Sequence, residues 1–333
     1  MLKKGAVILS VLKAGTEGQR HRGTKFLPFA SLPLCSFVPF LLLICCAFGP
    51  GCRKSNVSSQ KPLKICYMIC NSLPESKARF EPISAYLSEQ LKRPVESIYL
   101  NTQDVETVVQ KKEVDFTHTN SILYVIFKEK YGASPIVGEI RGRYGNKDAG
   151  TIIARSKSAI KTIQDLKDKS MIFGPSLAPM GFLAQYDLML KNGINPDEDL
   201  SFYNIPGGSW KHEKVIYGVL FGAYDAGAAP RVDLDQMAAE GKINMDDFTI
   251  VAESEPIAYC TFTAMSNVDP ELVKKVKDIL LNVTQEDSSL VGGEILKILK
   301  SAGLERFVGV QDSDYDPIRE MLKRCKMSPY EEY

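Results

Sequence analysis

Residues 171–190, MIFGPSLAPMGFLAQYDLML, read as a buried strand end, a turn with little side-chain chemistry, and an amphipathic helix starting near Met180 or Gly181. A chain that turns sharply from strand into helix aims free backbone N–H groups and the positive end of the helix dipole at whatever lies above it, usually an anion. The same alternation continues on both sides. Upstream, PLKICYMI reads as a strand, SKARFEPISAYLSEQLKR repeats apolar residues at helical spacing, VESIYL is a strand, QDVETVVQKKE a helix, and VDFTHT a strand entering the helix NSILYVIFKEKYG. After YGNKDAG the pattern restarts with TIIARS, the short helix TIQDLKD behind Thr162, and SMIFG. Downstream come LSFYNIP, HEKVIYGVLFG, AYDAGAAP, a helix around DLDQMAAEG, the strands FTIVAES and AYCTFTAM, and the helix DPELVKKVKDILLNV with Pro270 in its first turn. The tail reads as helical.

Strands alternating with helices predict an α/β chain with largely parallel sheets. The restart near residue 150 predicts two lobes: 62–149 as the first part of lobe 1, 150–254 as lobe 2, and 255–333 returning to lobe 1. Two lobes that close about a hinge hold their ligand between them.

The first 52 residues form a separate unit. They carry six Lys/Arg against the single acid Glu17 and run into FVPFLLLICCAFGPGC, the basic and apolar regions of an export signal. Its core, Phe40 to Phe48, falls short of the roughly 20 apolar residues of a membrane span. Gly51-Cys52 followed by the polar linker 53–61, RKSNVSSQK, resembles a bacterial lipoprotein signal, with Gly49 and Pro50 where such signals place an aliphatic residue, and the resemblance implies cleavage before Cys52 and a lipid on that cysteine. Simple cleavage and an uncleaved anchor are the alternatives.

The remainder has 35 Lys/Arg and 39 Asp/Glu with no basic run, which argues against a nucleic-acid partner. Of eight cysteines, Cys66, Cys70, Cys260 and Cys325 lie beyond the leader. Cys66 and Cys70, four apart on one strand, stand about 13 Å apart and cannot bridge each other. No Cys/His cluster suggests a metal, and no motif suggests a cofactor. Neither an H-E-x-x-H, a Gly-rich G-K-S/T loop, nor a G-x-S-x-G occurs, so catalysis has little to stand on.

Beyond the leader the histidines are His118 and His212. An isolated His is more often a satisfied core or surface residue than a ligand. His212 has the better context: a Gly-Gly-Ser loop, a helix start, and the small residues Ala226, Gly227 and Ala228 beyond.

GSWKHEKVIYGVLFGAYDAGAA, residues 208–229, resembles the S-x-x-H-x-x-x-(I/V)-x-x-V-x-x-G-x-x-D-A-G-A segment of the phosphate/phosphite/phosphonate-binding proteins of ABC importers. ESKARFEPISAYLSEQLKRPVE, VVQKKEVDFTHTNSILYVIF and TIIARSKSAIKTIQDLKDKSMIFGPSLAPMGFL resemble further segments of that family in the same order, from about Leu63 to Val283. The resemblance implies a two-lobed, Venus-flytrap binding protein outside the cytoplasm, monomeric, tethered by its lipid, delivering a small oxyanion to an inner-membrane permease. It also implies an anion held by helix N-termini, hydroxyls and a His. His212 and Asp225 match the family His and Asp. Thr119, Asn120 and Ser121 occupy the ligand loop, Met180 and Gly181 start the cradling helix, and Tyr144 sits where an aromatic faces the cleft. Ser176 adds a hydroxyl to the turn.

Two departures stand out. A Ser-x-Ser-Gly loop is replaced by Ala178-Pro179-Met180-Gly181, and TQDV at 102–105 lacks the Tyr of an Asp-Tyr pair. Lost hydroxyls, each contributing about 1.5–3 kcal/mol to a charged group, make a larger or less charged ligand the rival to phosphonate. A sensor reporting to a membrane signalling partner is the other alternative.

Overall fold

A computed structural model describes residues 61–331. The expected leader, Cys52 and residues 53–60 of the linker lie outside them. In chain order the first elements are β1 (Leu63–Ile69), α1 (Leu73–Leu91), β2 (Val95–Asn101), α2 (Thr102–Gln110), β3 (Phe116–Thr119), α3 (Ser121–Tyr131) and β4 (Ser134–Ile140). A short β5 (Lys147–Asp148) leads to β6 (Gly150–Arg155) and β7 (Ser170–Ile172). Then come α4 (Ala184–Lys191), α5 (Pro196–Asp199), β8 (Phe202–Asn204), α6 (Lys211–Leu220), β9 (Ala226–Pro230), α7 (Arg231–Ala239) and β10 (Phe248–Glu253). The chain returns through β11 (Ile257–Ala258) and β12 (Thr261–Ala264) to α8 (Pro270–Leu281), β13 (Ser288–Val291), β14 (Glu294–Lys297), α9 (Ile298–Ala302), β15 (Arg306–Gly309) and α10 (Asp316–Arg324).

Two sheets result. One has the order β15-β4-β12-β3-β1-β2 and the other β10-β6-β9-β7-β8. Both are mixed rather than parallel throughout. β1 is parallel to β2 and β3, and β7 is parallel to β8 and β9, because helices make those crossovers. β12 lies antiparallel between β3 and β4, and β6 lies antiparallel between β9 and β10, where the chain passes from one sheet to the other.

The passages themselves pair. Ile257 faces Asp148 and Ala258 faces Lys147 in a two-residue antiparallel ladder, so both crossovers are tied side by side.

Each sheet is covered on both faces, which is why its central strands read as continuous apolar runs. On the first sheet, Leu63, Ile65, Tyr67 and Phe116 pack under α1 with Phe80, Ile83 and Leu87. The opposite face packs Val105, Leu123, Ile126 and Phe127 together with Met180, Leu183 and Ala184 of the second lobe. α1 starts where the Ser72 hydroxyl accepts from Glu75 N–H and stops where Lys92 turns left-handed, φ 51°.

The tail departs from the helical reading. β13 and β14 form a hairpin around Gly292 and Gly293, both at positive φ, and β15 adds an edge to the first sheet. The four described cysteines are unpaired. No helix of the described residues is long and apolar enough to cross a membrane.

Candidate functional site

A cavity of about 540 Å³ lies between the two sheets. The segment 171–190 supplies its second-lobe wall. After β7 the chain runs through Gly174 and Pro175 into a π-helical turn, Pro179–Leu183, that continues as α4. Such turns often mark functional sites. Phe182 and Leu183 N–H both donate to Ala178 O, at 3.0 and 3.1 Å. Pro179 has no N–H, and the N–H groups of Met180 and Gly181 are the first donors of this helix start, ahead of its main-chain ladder.

His212, in the first turn of α6, also lines the cavity. Its Nδ1 is buried without a partner. Burial, the largest influence, lowers its pKa and Lys211 adds to this, while Asp233 opposes. The ring is wedged between two glycines. A Cβ on Gly181 would stand 2.4 Å from His212 Cε1, and one on Gly174 would stand 2.9 Å from Cε1 and Nδ1. Gly181→Ala is therefore expected to displace the ring and cost about 1–3 kcal/mol of stability by overpacking. Gly207→Ala, where an added Cβ meets nothing within 4 Å, should change it by less than about 0.5 kcal/mol. Urea denaturation of the two variants checks this; equal stabilities would show that the ring moves freely.

Of the expected ligand loop, the structure brings Asn120 to the cavity. Its Oδ1 caps α3 by accepting from Leu123 N–H at 3.0 Å, and its Nδ2 donates to Leu177 O across the cleft at 2.9 Å. A backbone bond crosses nearby: Trp210 N–H donates to Asn71 O at 3.2 Å. Trp210 itself is left-handed, φ 56°.

Five expected residues stand outside the cavity wall. Thr119 alternates with His118 along β3 and so faces the opposite side of the sheet, fully buried, as is Ser121 at the first position of α3. Both hydroxyls lack a partner. Ser176 sits between Pro175 and Leu177, which do line the cavity. Tyr144 is taken up by a hydrogen bond to Glu253, which also receives Arg231. Asp225 is at the far end of its strand, accepting from Ser170 N–H at 3.0 Å and Ser170 Oγ at 2.8 Å. Those bonds staple β7 to β9; the backbone bond, the largest cause, holds its carboxyl below the usual value.

The first-lobe wall holds His118, which sequence reasoning weighed as a satisfied core or surface residue, the thiols of Cys70 and Cys260, and three residues it did not single out, Arg79, Arg141 and Tyr259. His118 Nε2 lies 2.6 Å from Glu139 Oε1, both side chains almost wholly buried. Phe80 and Phe262 enclose the imidazole, with centroids at 4.5 and 4.8 Å. Burial alone would raise the Glu139 pKa, but His118 and then Arg79 and Arg141 outweigh it, so the carboxyl sits below its ordinary value. Ionised Glu139 is an acceptor only, which places a proton on Nε2 and leaves Nδ1 free. The thiols are held protonated by burial, Cys70 at about 11. Among the described residues no cluster of His, Cys, Asp and Glu could hold a metal.

A family model described as "ABC transporter, phosphonate, periplasmic substrate-binding protein" matches residues 67–315. Solved structures share the fold at low identity. A Prochlorococcus marinus protein in complex with methylphosphonate is 19% identical, over 80% of this chain and 98% of that one, with a TM-score of 0.64. The binding component of a Pseudomonas aeruginosa ABC phosphonate transporter is 15% identical over 79% and 86%, TM-score 0.64. A Xanthomonas citri protein bound to ATP is 17% identical over 78% and 95%, TM-score 0.64.

Proposed function

Because the chain belongs to the periplasmic phosphonate substrate-binding family of ABC transporters, we propose that it captures an organic phosphonate between its lobes and hands it to a permease by binding and release, without covalent chemistry. The observation that carries this reading is the pairing of the Met180 and Gly181 N–H groups with the orphan Nδ1 of His212 on one wall of the cavity. Neutral imidazole and backbone donors can both bond phosphonate oxygens, and the helix dipole adds attraction. Asn120, which already bridges the lobes, would sense closure. A lipid on Cys52 would keep a monomer at the membrane surface.

The wall is less polar than a simple oxyanion needs. Ala178, Pro179 and Met180 line it where hydroxyls were expected, and Leu177 extends the apolar stretch. The cavity volume suits a drug-sized ligand, so the phosphonate carries a body. A neutral metabolite is the second reading favoured by the same wall.

Trp210, the one tryptophan, lines the cavity and is 38% exposed. An alkylphosphonate at 100 times its dissociation constant should add about 2.7 kcal/mol to unfolding stability and change Trp210 fluorescence. His212→Ala should weaken it by about 10-fold or more. Stabilisation by neutral metabolites and by no phosphonate would reverse the assignment.

A further inference from the structure

The first-lobe end of the cavity holds a positive charge with no carboxylate in contact. Arg79 is occupied: Nε and Nη2 donate to Ala302 O at 3.2 and 3.1 Å, and Nη1 lies 3.5 Å from Glu75. Lys242 at the same cavity pairs with Glu213 and Glu240. Arg141 differs. Among the described residues no carboxylate lies within 4 Å of it, and its side chain makes one long contact, 3.5 Å to Gln236 Oε1. The guanidinium stands 5.1 Å from the Tyr259 ring centroid, and its backbone is fixed by a bond from Arg141 N–H to Gly145 O at 3.0 Å. Two opposite charges act on it at longer range, and each is held elsewhere: Asp233 sits in the first turn of α7, where the helix dipole already stabilises a carboxylate, and Glu139 is bonded to His118.

A second, independent observation falls at the same end. His118 Nδ1 is buried without a partner, and the cavity reaches His118. A partly desolvated guanidinium with no carboxylate in contact asks for an anionic, hydrogen-bonding group that the protein does not supply, and the imidazole beside it adds a polar edge to that end of the cavity. A planar carboxylate fits the fork of guanidinium donors.

We propose that the ligand is a phosphonocarboxylate, with its phosphonate at the Met180–Gly181 helix start and His212 and its carboxylate at Arg141 beside His118. This rests on the phosphonate reading above and extends it. The cavity, about 540 Å³ and lined by both groups of residues, has room for an anion with two ends. A single-carbon phosphonate would leave Arg141 unpaired.

The test is calorimetric titration of the full chain with matched pairs: phosphonoacetate against ethylphosphonate, 3-phosphonopropionate against propylphosphonate, and 4-phosphonobutyrate against butylphosphonate. At least one acid should bind about 10-fold or more tighter than its alkyl partner. Arg141→Gln should bring that ratio to about 1 while the alkyl phosphonate keeps its affinity, and Arg141→Lys, which retains charge but not the fork, should fall between. Ratios near 1 for all three pairs in the wild type overturn the second subsite. So does equal weakening of both members by Arg141→Gln, which would put the phosphonate itself on Arg141. Failure of all six compounds to bind removes the phosphonate reading as well, and is thereby distinguishable.

Discussion

His118→Leu is expected to lower the free energy of unfolding by about 3–5 kcal/mol, the usual cost of stranding a buried charge. Glu139 is completely buried, its Oε2 already lacks a partner, and Oε1 is held by His118 at 2.6 Å. Leucine fills the space between Phe80 and Phe262 but gives the carboxylate nothing. The double variant His118→Leu/Glu139→Leu should regain most of the loss, because replacing both partners by apolar groups is often nearly neutral. The pH dependence has a defined sign. Burial pushes the Glu139 pKa up, but His118 and the two arginines bring it below its ordinary value in the folded protein. The stability this contributes is present above the unfolded carboxyl value and is lost as pH falls through the lower folded one. In His118→Leu burial dominates and Glu139 takes up a proton more readily, so the gap to wild type should narrow toward acid. Urea denaturation with unchanged m-values measures it; a loss under about 1 kcal/mol would mean that Glu139 finds another partner.

The second large effect belongs to the paired crossovers and runs the other way. Asp148, on β5, is buried and its pKa is raised to about 7, chiefly by burial with Asp233 adding, against the Val232 N–H that it accepts. Between its ordinary value and about 7 the folded protein holds a proton that the unfolded chain has released, so stability falls as pH rises through that window. Asp148→Asn keeps an acceptor for Val232 and removes the titration. The variant should gain about 4 kcal/mol over wild type by pH 8, accumulating at about 1.4 kcal/mol per pH unit across that window, and the gain should vanish near pH 4. Denaturation curves at several pH values between these limits check it. Parallel curves for the two proteins would show that Asp148 is ionised in the fold.

The elements that were legible are those whose cause is local. Apolar runs such as 63–69, the Ser72 cap and the strand-turn-helix at 171–190 carry their own instructions, and the Gly-Gly at 292–293 is a hairpin signal that the helical reading of the tail overrode. β4 escaped because Pro135 and Gly138 interrupt its pattern, and its place is set by β12. The cavity followed the same division. Met180, Gly181 and His212 come from one strand-turn-helix and one helix start, each visible in a few residues. The His118–Glu139 pair does not: β12, from more than a hundred residues downstream, lies between their two strands and places Phe262 opposite His118 and Val137. Asp225 shows the converse, a residue whose motif is visible locally while its partner is not: its carboxylate accepts from Ser170 and holds two strand ends together.

The bond from Trp210 N–H to Asn71 O joins the lobes through main chain alone. Truncating either side chain leaves donor and acceptor in place, so an alanine scan of the cleft would find that contact silent and credit the link between the lobes to Asn120 alone. Proline, the usual way to delete an N–H, is unsuitable at a position with φ 56°. Replacing the 209–210 amide by an ester removes the donor while keeping both side chains, and it is that chemical edit, rather than any codon change, that would weigh this latch.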